Sequence, residues 1–203
     1  LARNFRSTMK NILVLTSMVM YALCFSSASA ADVDMKSLMQ QFAASKNTKA
    51  EFTERKYVRI LDSPVESSGD LMFHAPDRLE KRTKLPRSEV MLIDGNKVSI
   101  ERGSFKRSMM LDEFADMASL VKSLTATFRG DQEGIEKYFS WTLSGPVNKW
   151  QLVLKPKSSK LFITLREIRF AGDGNYVHTV ETTLTDGDWS LMTLGRPIRS
   201  AAE

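Results

Sequence analysis

The side chains best able to do chemistry are sparse in this 203-residue chain, and they are not grouped. Its two histidines, His74 and His178, stand far apart, each alone in a strand-like run. Neither has a second histidine, a thiol or an acidic cluster at the spacing a metal ion requires. A solvated or core-satisfied imidazole is the better reading of both. No Gly-x-Ser-x-Gly elbow is present to expose a serine nucleophile. Gly172-Asp173-Gly174 superficially suggests a nucleotide loop, but the runs on either side are strand-like, so no helix N-terminus awaits a phosphate. The residues point to no catalytic group, no metal and no cofactor. The chain reads as a non-enzymatic protein, and the question becomes which elements build a binding surface.

The N-terminus reads as a secretory leader. Arg3, Arg6 and Lys10 precede a run from Ile12 to Phe25 that is apolar apart from Thr16, Ser17 and the Tyr21 hydroxyl. Small residues follow, with an A-x-A cleavage site at Ala28-Ser29-Ala30. The apolar run is shorter than the roughly 20 residues of a membrane-spanning helix. The lone cysteine, Cys24, follows Tyr21-Ala22-Leu23, and bulky Leu23 does not suit a lipoprotein leader. The expectation is therefore a signal peptide over residues 1–30 and a soluble periplasmic domain over 31–203 without cysteine or disulfide. Met9 is an alternative start to Leu1. The whole chain carries a net +5, but removal of the three leader cations leaves 26 basic residues against 24 acidic. That near balance gives no electrostatic case for nucleic acid.

Beyond the leader, Asp34 to Ser45 reads as an amphipathic helix, because Met35, Leu38, Met39 and Phe42 fall on one stripe. The texture then turns to strands. Ala50 to Leu61 is the first candidate; Gly69, Leu71 and Phe73 alternate with Asp70, Met72 and His74; Ala75-Pro76-Asp77 turns the chain into a polar strand from Leu79 to Thr83. Asp94-Gly95-Asn96-Lys97 centres a tight hairpin that sets Ile93 opposite Val98 and Met91 opposite Ile100, all on one side. A sheet with one firmly apolar side needs a cover. Asp112 to Thr125 supplies a helix stripe of Phe114, Met117, Leu120, Val121 and Leu124, and Gly130-Asp131 opens a shorter helix with Ile135 and Tyr138 inward. Strands resume with Phe139, Trp141 and Leu143, then Trp150, Leu152 and Leu154. Leu161, Ile163 and Leu165 alternate, and a change of parity at Ile168 and Phe170 implies a bulge near Arg166-Glu167. Turns at Gly172 to Asn175 and Asp186 to Asp188 bring the total to ten or eleven short strands of a sandwich or barrel.

Two compositional features have a bland and a functional reading. Arg78, Lys81, Arg82, Lys84 and Arg87, with Arg55, Lys56 and Arg59 nearby, read first as a solvated strand face and second as a patch for anionic headgroups or an acidic partner. Met91, Met109, Met110, Met117 and Met192 read first as core filler and second as the lining of a hollow that adapts to flexible chains.

The order of parts, together with Phe52-Thr53-Glu54, Ser68-Gly69-Asp70-Leu71-Met72-Phe73, Ala75-Pro76-Asp77-Arg78-Leu79-Glu80-Lys81-Arg82-Thr83, Leu92-Ile93-Asp94-Gly95, Leu124 to Asp131 and Gly187-Asp188-Trp189, resembles the LolA/LolB superfamily of outer-membrane lipoprotein carriers, its LolA-related branch. The resemblance covers roughly residues 33 to 196. It implies a mainly β (α+β) fold: an unclosed antiparallel barrel of about eleven strands, with helices across the apolar concave face. It also implies a cavity for acyl chains and a monomer that carries a lipoprotein or other lipid towards the outer membrane without covalent chemistry. An inner-membrane exporter and an outer-membrane acceptor are the implied partners, and no nucleic acid. A sensor or interaction module of the envelope on the same fold is the alternative.

The residues expected to line the cavity are Phe52, Leu71, Phe73, Leu79, Met91, Ile93, Val98, Ile100 and Met109 from the first strands. The helix adds Phe114, Met117, Leu120 and Leu124, and the later strands add Trp141, Leu143, Leu152 and Leu154. One departure matters. The lipoprotein carriers place an arginine immediately before the proline of the turn matched here by Ala75-Pro76-Asp77, where it bonds the lid. Here Ala75 stands there, with Arg78 the nearest cation, which implies a lid closed by apolar contact alone.

Overall fold

Alternation of apolar and polar residues, punctuated by glycine and proline turns, yields a chain of antiparallel hairpins. The computed structural model describes residues 33–45, 47–111, 121 and 125–199. Helix α1, Met35–Ala43, opens the described chain, and the Asp34 carboxylate caps it by accepting from the Ser37 backbone N–H at 2.9 Å. That bonding, first through the Ser37 hydroxyl, holds the Asp34 carboxyl below its ordinary range. Its buried stripe is Met35, Leu38, Met39 and Phe42, the four residues the 3.6-residue period selects.

Six strands follow in a meander: β1 (Asn47–Tyr57), β2 (Val65–His74), β3 (Arg78–Leu85), β4 (Glu89–Asp94), β5 (Lys97–Arg102) and β6 (Phe105–Met110). The β4–β5 register pairs Ile93 with Val98 and Met91 with Ile100, as the turn sequence requires. Strand β1 ends at Tyr57, short of the expected Leu61: Val58 to Pro64 form the turn, with Leu61 N–H bonded to the Val58 carbonyl. Strand β6 was not marked by its sequence, since of its six residues only Met109 escapes full exposure.

Residues 125–129 are helical, as is Val121. Helix α2, Gln132–Glu136, is capped by Asp131, which accepts from the Gly134 N–H at 2.9 Å. The second meander is β7 (Phe139–Ser144), β8 (Trp150–Pro156), β9 (Leu165–Asp173), β10 (Tyr176–Leu184) and β11 (Trp189–Leu194), followed by the two-residue β12 (Ile198–Arg199). The expected alternation from Leu161 to Leu165 is instead a short helix, α3 (Ser159–Phe162), after Ser158, whose carbonyl accepts from the Phe162 N–H. Leu161 is buried there while Ile163 is turned out to solvent. The bulge falls where the parity change put it: Thr183 pairs with Glu167 and Leu184 with Leu165, leaving Arg166 unpaired.

The strands form one antiparallel sheet in the order β6-β5-β4-β3-β2-β1-β11-β10-β9-β8-β7, with β12 on β1. The sheet is not closed, because β6 and β7 are its two edges. The chain between them, residues 111–138, must therefore pass from one edge of the sheet to the other. Where it is described, this crossover packs on the inner face of the sheet. Its described part touches the cores of both meanders: Leu111 and Val121 belong to the cluster of Phe73, Leu79, Ile93 and Val98, while Ala126 and Ile135 belong to the larger cluster under α1. The large aliphatic and aromatic side chains of these clusters are each worth about 1.5–3 kcal/mol when fully buried.

Two glycines permit the closest approaches. Gly130, at φ +73°, lies so near α1 that a Cβ would meet the Met39 carbonyl oxygen at 2.1 Å. Gly172 lies under the Trp150 ring, where a Cβ would meet that ring at 2.4 Å and the Tyr176 carbonyl at 2.1 Å.

Candidate binding hollow

Register assigns each strand residue to a face. The inner face carries Leu152, Phe170, Val180, Met192 and Phe52 across the middle, and Phe73, Leu79, Ile93, Val98 and Met109 across the first meander. Helix α1 covers the second meander. Phe42 meets the Trp150 ring edge-on at 5.7 Å, and the Trp150 N–H donates to the Gly174 carbonyl at 2.8 Å. The crossover covers the first meander through Phe128, whose ring lies 5.9 Å from that of Phe73.

At the seam between the two covered regions lies a cavity of about 60 Å³. Phe42 comes from α1, Ala50, Leu71, Phe73, Leu79, Val177 and Leu194 from the sheet, and Phe128 from the crossover; Ser45, Asn175 and Tyr176 form its more polar rim. An apolar cavity of roughly 150 Å³ is what one benzene molecule occupies. At this volume the hollow is too small for an acyl chain, and a long apolar ligand would have to part the cover from the sheet.

Of the expected lining residues, Leu71, Phe73 and Leu79 border this cavity. Ile93 and Val98 are buried beside it with Met91, Ile100 and Met109 packed against them. Phe52, Leu152 and Leu154 are buried in the larger cluster, and Leu143 packs on it. Trp141 lies on edge strand β7, 36% exposed, donating its indole N–H to Glu136 at 2.9 Å. Phe114, Met117, Leu120 and Leu124 lie outside the described residues. Among the lining residues the sequence did not single out as such are Phe42, Ala50, Phe128, Tyr176, Val177 and Leu194. Phe128 falls four residues after the last member of the predicted stripe, and only the crossover's return towards β2 places it.

The inner face is not apolar throughout. Lys81 points inward, ion-paired with Glu54, its Nζ 4.9 Å from the Phe52 ring centroid. The basic cluster is thus divided by strand alternation. Lys81 faces in, whereas Arg82 pairs with Glu80 and Lys84 with Asp70 on the outer face. Asp70 is buried between Lys84 at 3.0 Å and Lys49 at 3.5 Å. The Lys84 hydrogen bond holds its carboxyl below the ordinary range against the opposing pull of burial, with the charge of Lys49 adding to it.

Ala75 is exposed in the β2–β3 turn, and among the described residues Arg78 makes no side-chain hydrogen bond or ion pair that replaces a latch. His178 sits against the Tyr176 ring at 4.2 Å and 4.0 Å from Asp173, on a strand apart from His74. Among the described residues no group of histidine, cysteine and carboxylate side chains is placed to hold a metal, and no helix is long and apolar enough to cross a membrane.

Over residues 27–203 the chain matches the family described as outer membrane lipoprotein carrier protein LolA-like, and it belongs to that family. No curated protein matches it. Among solved structures it is similar to a LolA superfamily protein from Nitrosomonas europaea, at 8% identity and a TM-score of 0.47 over 84% of this chain and 96% of that one. It is similar to the MucA/MucB complex of Pseudomonas aeruginosa at 13% identity and a TM-score of 0.46, over 84% of this chain and 59% of the other. LprF of Mycobacterium bovis matches at 9% identity with a TM-score of 0.38, over 85% and 97% respectively.

Proposed function

We propose that the protein is a periplasmic carrier that takes the acyl chains of a lipoprotein or other lipid between its inner sheet face and the covering helices, and moves that cargo towards the outer membrane. The observation that carries this reading is the seam cavity. It is apolar, and it lies where two separately packed parts of the cover meet rather than inside either core. Parting at a seam exposes room for a chain without disrupting the α1–Trp150 packing. Membership of the LolA-like family supports the same reading. In this reading the leader over residues 1–30 is removed, the domain over 31–203 works as a monomer without catalysis, and an exporter and an acceptor stand at the two ends of the journey.

Native mass spectrometry of protein isolated gently from its own periplasm tests the reading. A lipid-sized mass adduct that organic solvent extracts is the expected result. Protein that is lipid-free, fails to bind a fluorescent fatty acid and runs in a stable complex with another envelope protein would overturn it in favour of an interaction module.

A further inference from the structure

The register puts the turns of the sheet at two ends, and the two ends differ in what they expose. Lys56 pairs with Val65, Tyr57 with Trp189, Ser68 with Leu85, Arg102 with Phe105 and Leu184 with Leu165, so the turns at 58–64, 86–88, 103–104, 157–164 and 185–188 all lie at one end. Hydrogen bonds join three of them: Arg59 N–H to Asp188, and Thr185 to the carbonyls of Ile163 and Thr164. This end holds Ile60 at 87% exposure, Ile163 at 74%, Leu85 at 63%, Phe105 at 55%, Phe162 at 53% and Leu61 at 49%. The opposite end is made of polar turns such as Gly95-Asn96 and Gly174-Asn175, and Met110, Val147 and Ile198 are its exposed large apolar residues among those described.

Large apolar side chains held out on turns give nothing to the core and invite association, so their concentration at one end calls for an occupant. The segments 55–66, 84–89, 101–106, 155–167 and 184–188 carry eleven basic residues against seven acidic. Both ends have a basic excess, so charge alone does not select this one; the apolar tips do. The tips come from separate turns rather than from one continuous segment. Behind Ile60 and Leu61 the Tyr57 and Trp189 rings stack at 4.0 Å, and amphipathic rings favour the headgroup level of a membrane. We propose that this end of the sheet docks on an anionic phospholipid surface, with Ile60, Leu61, Phe162 and Ile163 entering the interface and Lys56, Arg59, Arg87 and Lys157 meeting headgroups.

None of these residues lines the seam cavity, so the inference stands apart from the cargo reading. The test is co-sedimentation of protein, purified from the soluble fraction of cells expressing the whole chain, with cargo-free vesicles of phosphatidylglycerol and phosphatidylcholine, and with phosphatidylcholine alone. Binding to the anionic vesicles that weakens with added salt is expected. A variant carrying I60S, L61S, F162S and I163S should partition roughly tenfold less or weaker still, given the apolar area removed. K56Q with R59Q should bind less and lose part of the salt dependence. All these side chains are exposed, so fatty-acid binding should stay at the wild-type level.

A milder variant, I60C carrying an environment-sensitive dye, should show an emission shift to shorter wavelength when anionic vesicles are added. Wild-type protein that ignores anionic vesicles at low salt overturns the proposal and leaves a protein partner as the occupant. A serine variant that binds as the wild type does, or a labelled Ile60→Cys protein whose emission is unmoved by vesicles, also overturns it.

Discussion

Phe73 of strand β2 and Phe128 of the crossover face each other with ring centroids 5.9 Å apart and planes tilted by 31°, and both line the seam cavity. This contact joins cover to sheet in the first meander, as Phe42 and Trp150 do in the second. The two joints differ in depth. Trp150 is fully buried and hydrogen-bonded to Gly174, whereas Phe128 is only half-buried. In the carrier reading proposed above, the part of the cover around Phe128 is the one expected to move.

Filling the cavity should separate binding from folding. Ala50 borders the space and pairs across the strands with Leu71. Ala50→Leu adds apolar volume where room exists, so stability should change by less than about 1.5 kcal/mol. Fluorescent fatty-acid affinity should fall roughly tenfold if chains enter at the seam. Unchanged affinity in a folded variant would place the ligand elsewhere.

Ala75→Arg tests the missing latch. The side chain would offer a planar fork of donors in the β2–β3 turn, and each charged bond contributes about 1.5–3 kcal/mol when formed. Amide exchange over residues 125–138 should be fast in the wild type, slower with bound lipid, and slower again in the variant. Strong protection in the ligand-free wild type, with no response to Ala75→Arg, would show that the cover is held by other means.

Gly172→Ala should be among the most damaging single-methyl changes in the chain. The new Cβ would strike both the Trp150 ring and the Tyr176 backbone carbonyl, and backbone of a paired strand yields little. A loss of about 2–4 kcal/mol is expected in urea denaturation, mostly through the anchor of α1. A loss below about 1 kcal/mol would mean that the strand pair gives way without cost.

Asp70 makes stability depend on acid. Its carboxyl is held below its ordinary value in the folded protein, chiefly by Lys84 and then by Lys49. A depressed carboxyl stabilises the fold fully above its unfolded value near pH 4, and the contribution is lost as pH falls through the lower folded value. Both lysines are well exposed, so the contribution is about 1 kcal/mol. Asp70→Asn should flatten the fall of stability below about pH 4 relative to the wild type. An unchanged acid limb in chemical denaturation would assign that limb to other carboxylates.

Much of the frame was legible in the residues because local chemistry determined it. The α1 stripe, the Asp94 to Lys97 hairpin and the Arg166 bulge each follow from periods and turn types within a dozen residues. What failed was ambiguous locally. Leu161, Ile163 and Leu165 alternate as a strand would, yet the Ser158 and Ser159 carbonyls accept helical bonds and the chain winds into α3. Strand β6 carries too few buried residues to show a pattern, as an edge strand can. The cavity wall was only partly visible because Val177, Leu194 and Phe128 meet Phe73 and Leu71 through strand order and the crossover, which no local period encodes. Lys81 was grouped with an outer basic face, although strand parity with Leu79 turns it inward.

The pairing of β1 with β11 bears on how the chain acquires its structure. Every other strand pair in the main path joins neighbours in sequence except this one, which sets Phe52 against Leu194, near the two extremes of the described chain. Each meander can zip up from its own short turns, whereas the β1–β11 seam closes a loop that contains nearly everything else and carries the largest closure entropy. The two halves should become protected early and the seam last. A nascent chain halted before Trp189 would then hold two open strand edges where the finished sheet has its centre, and pulse-labelled amide exchange during refolding would order the two events.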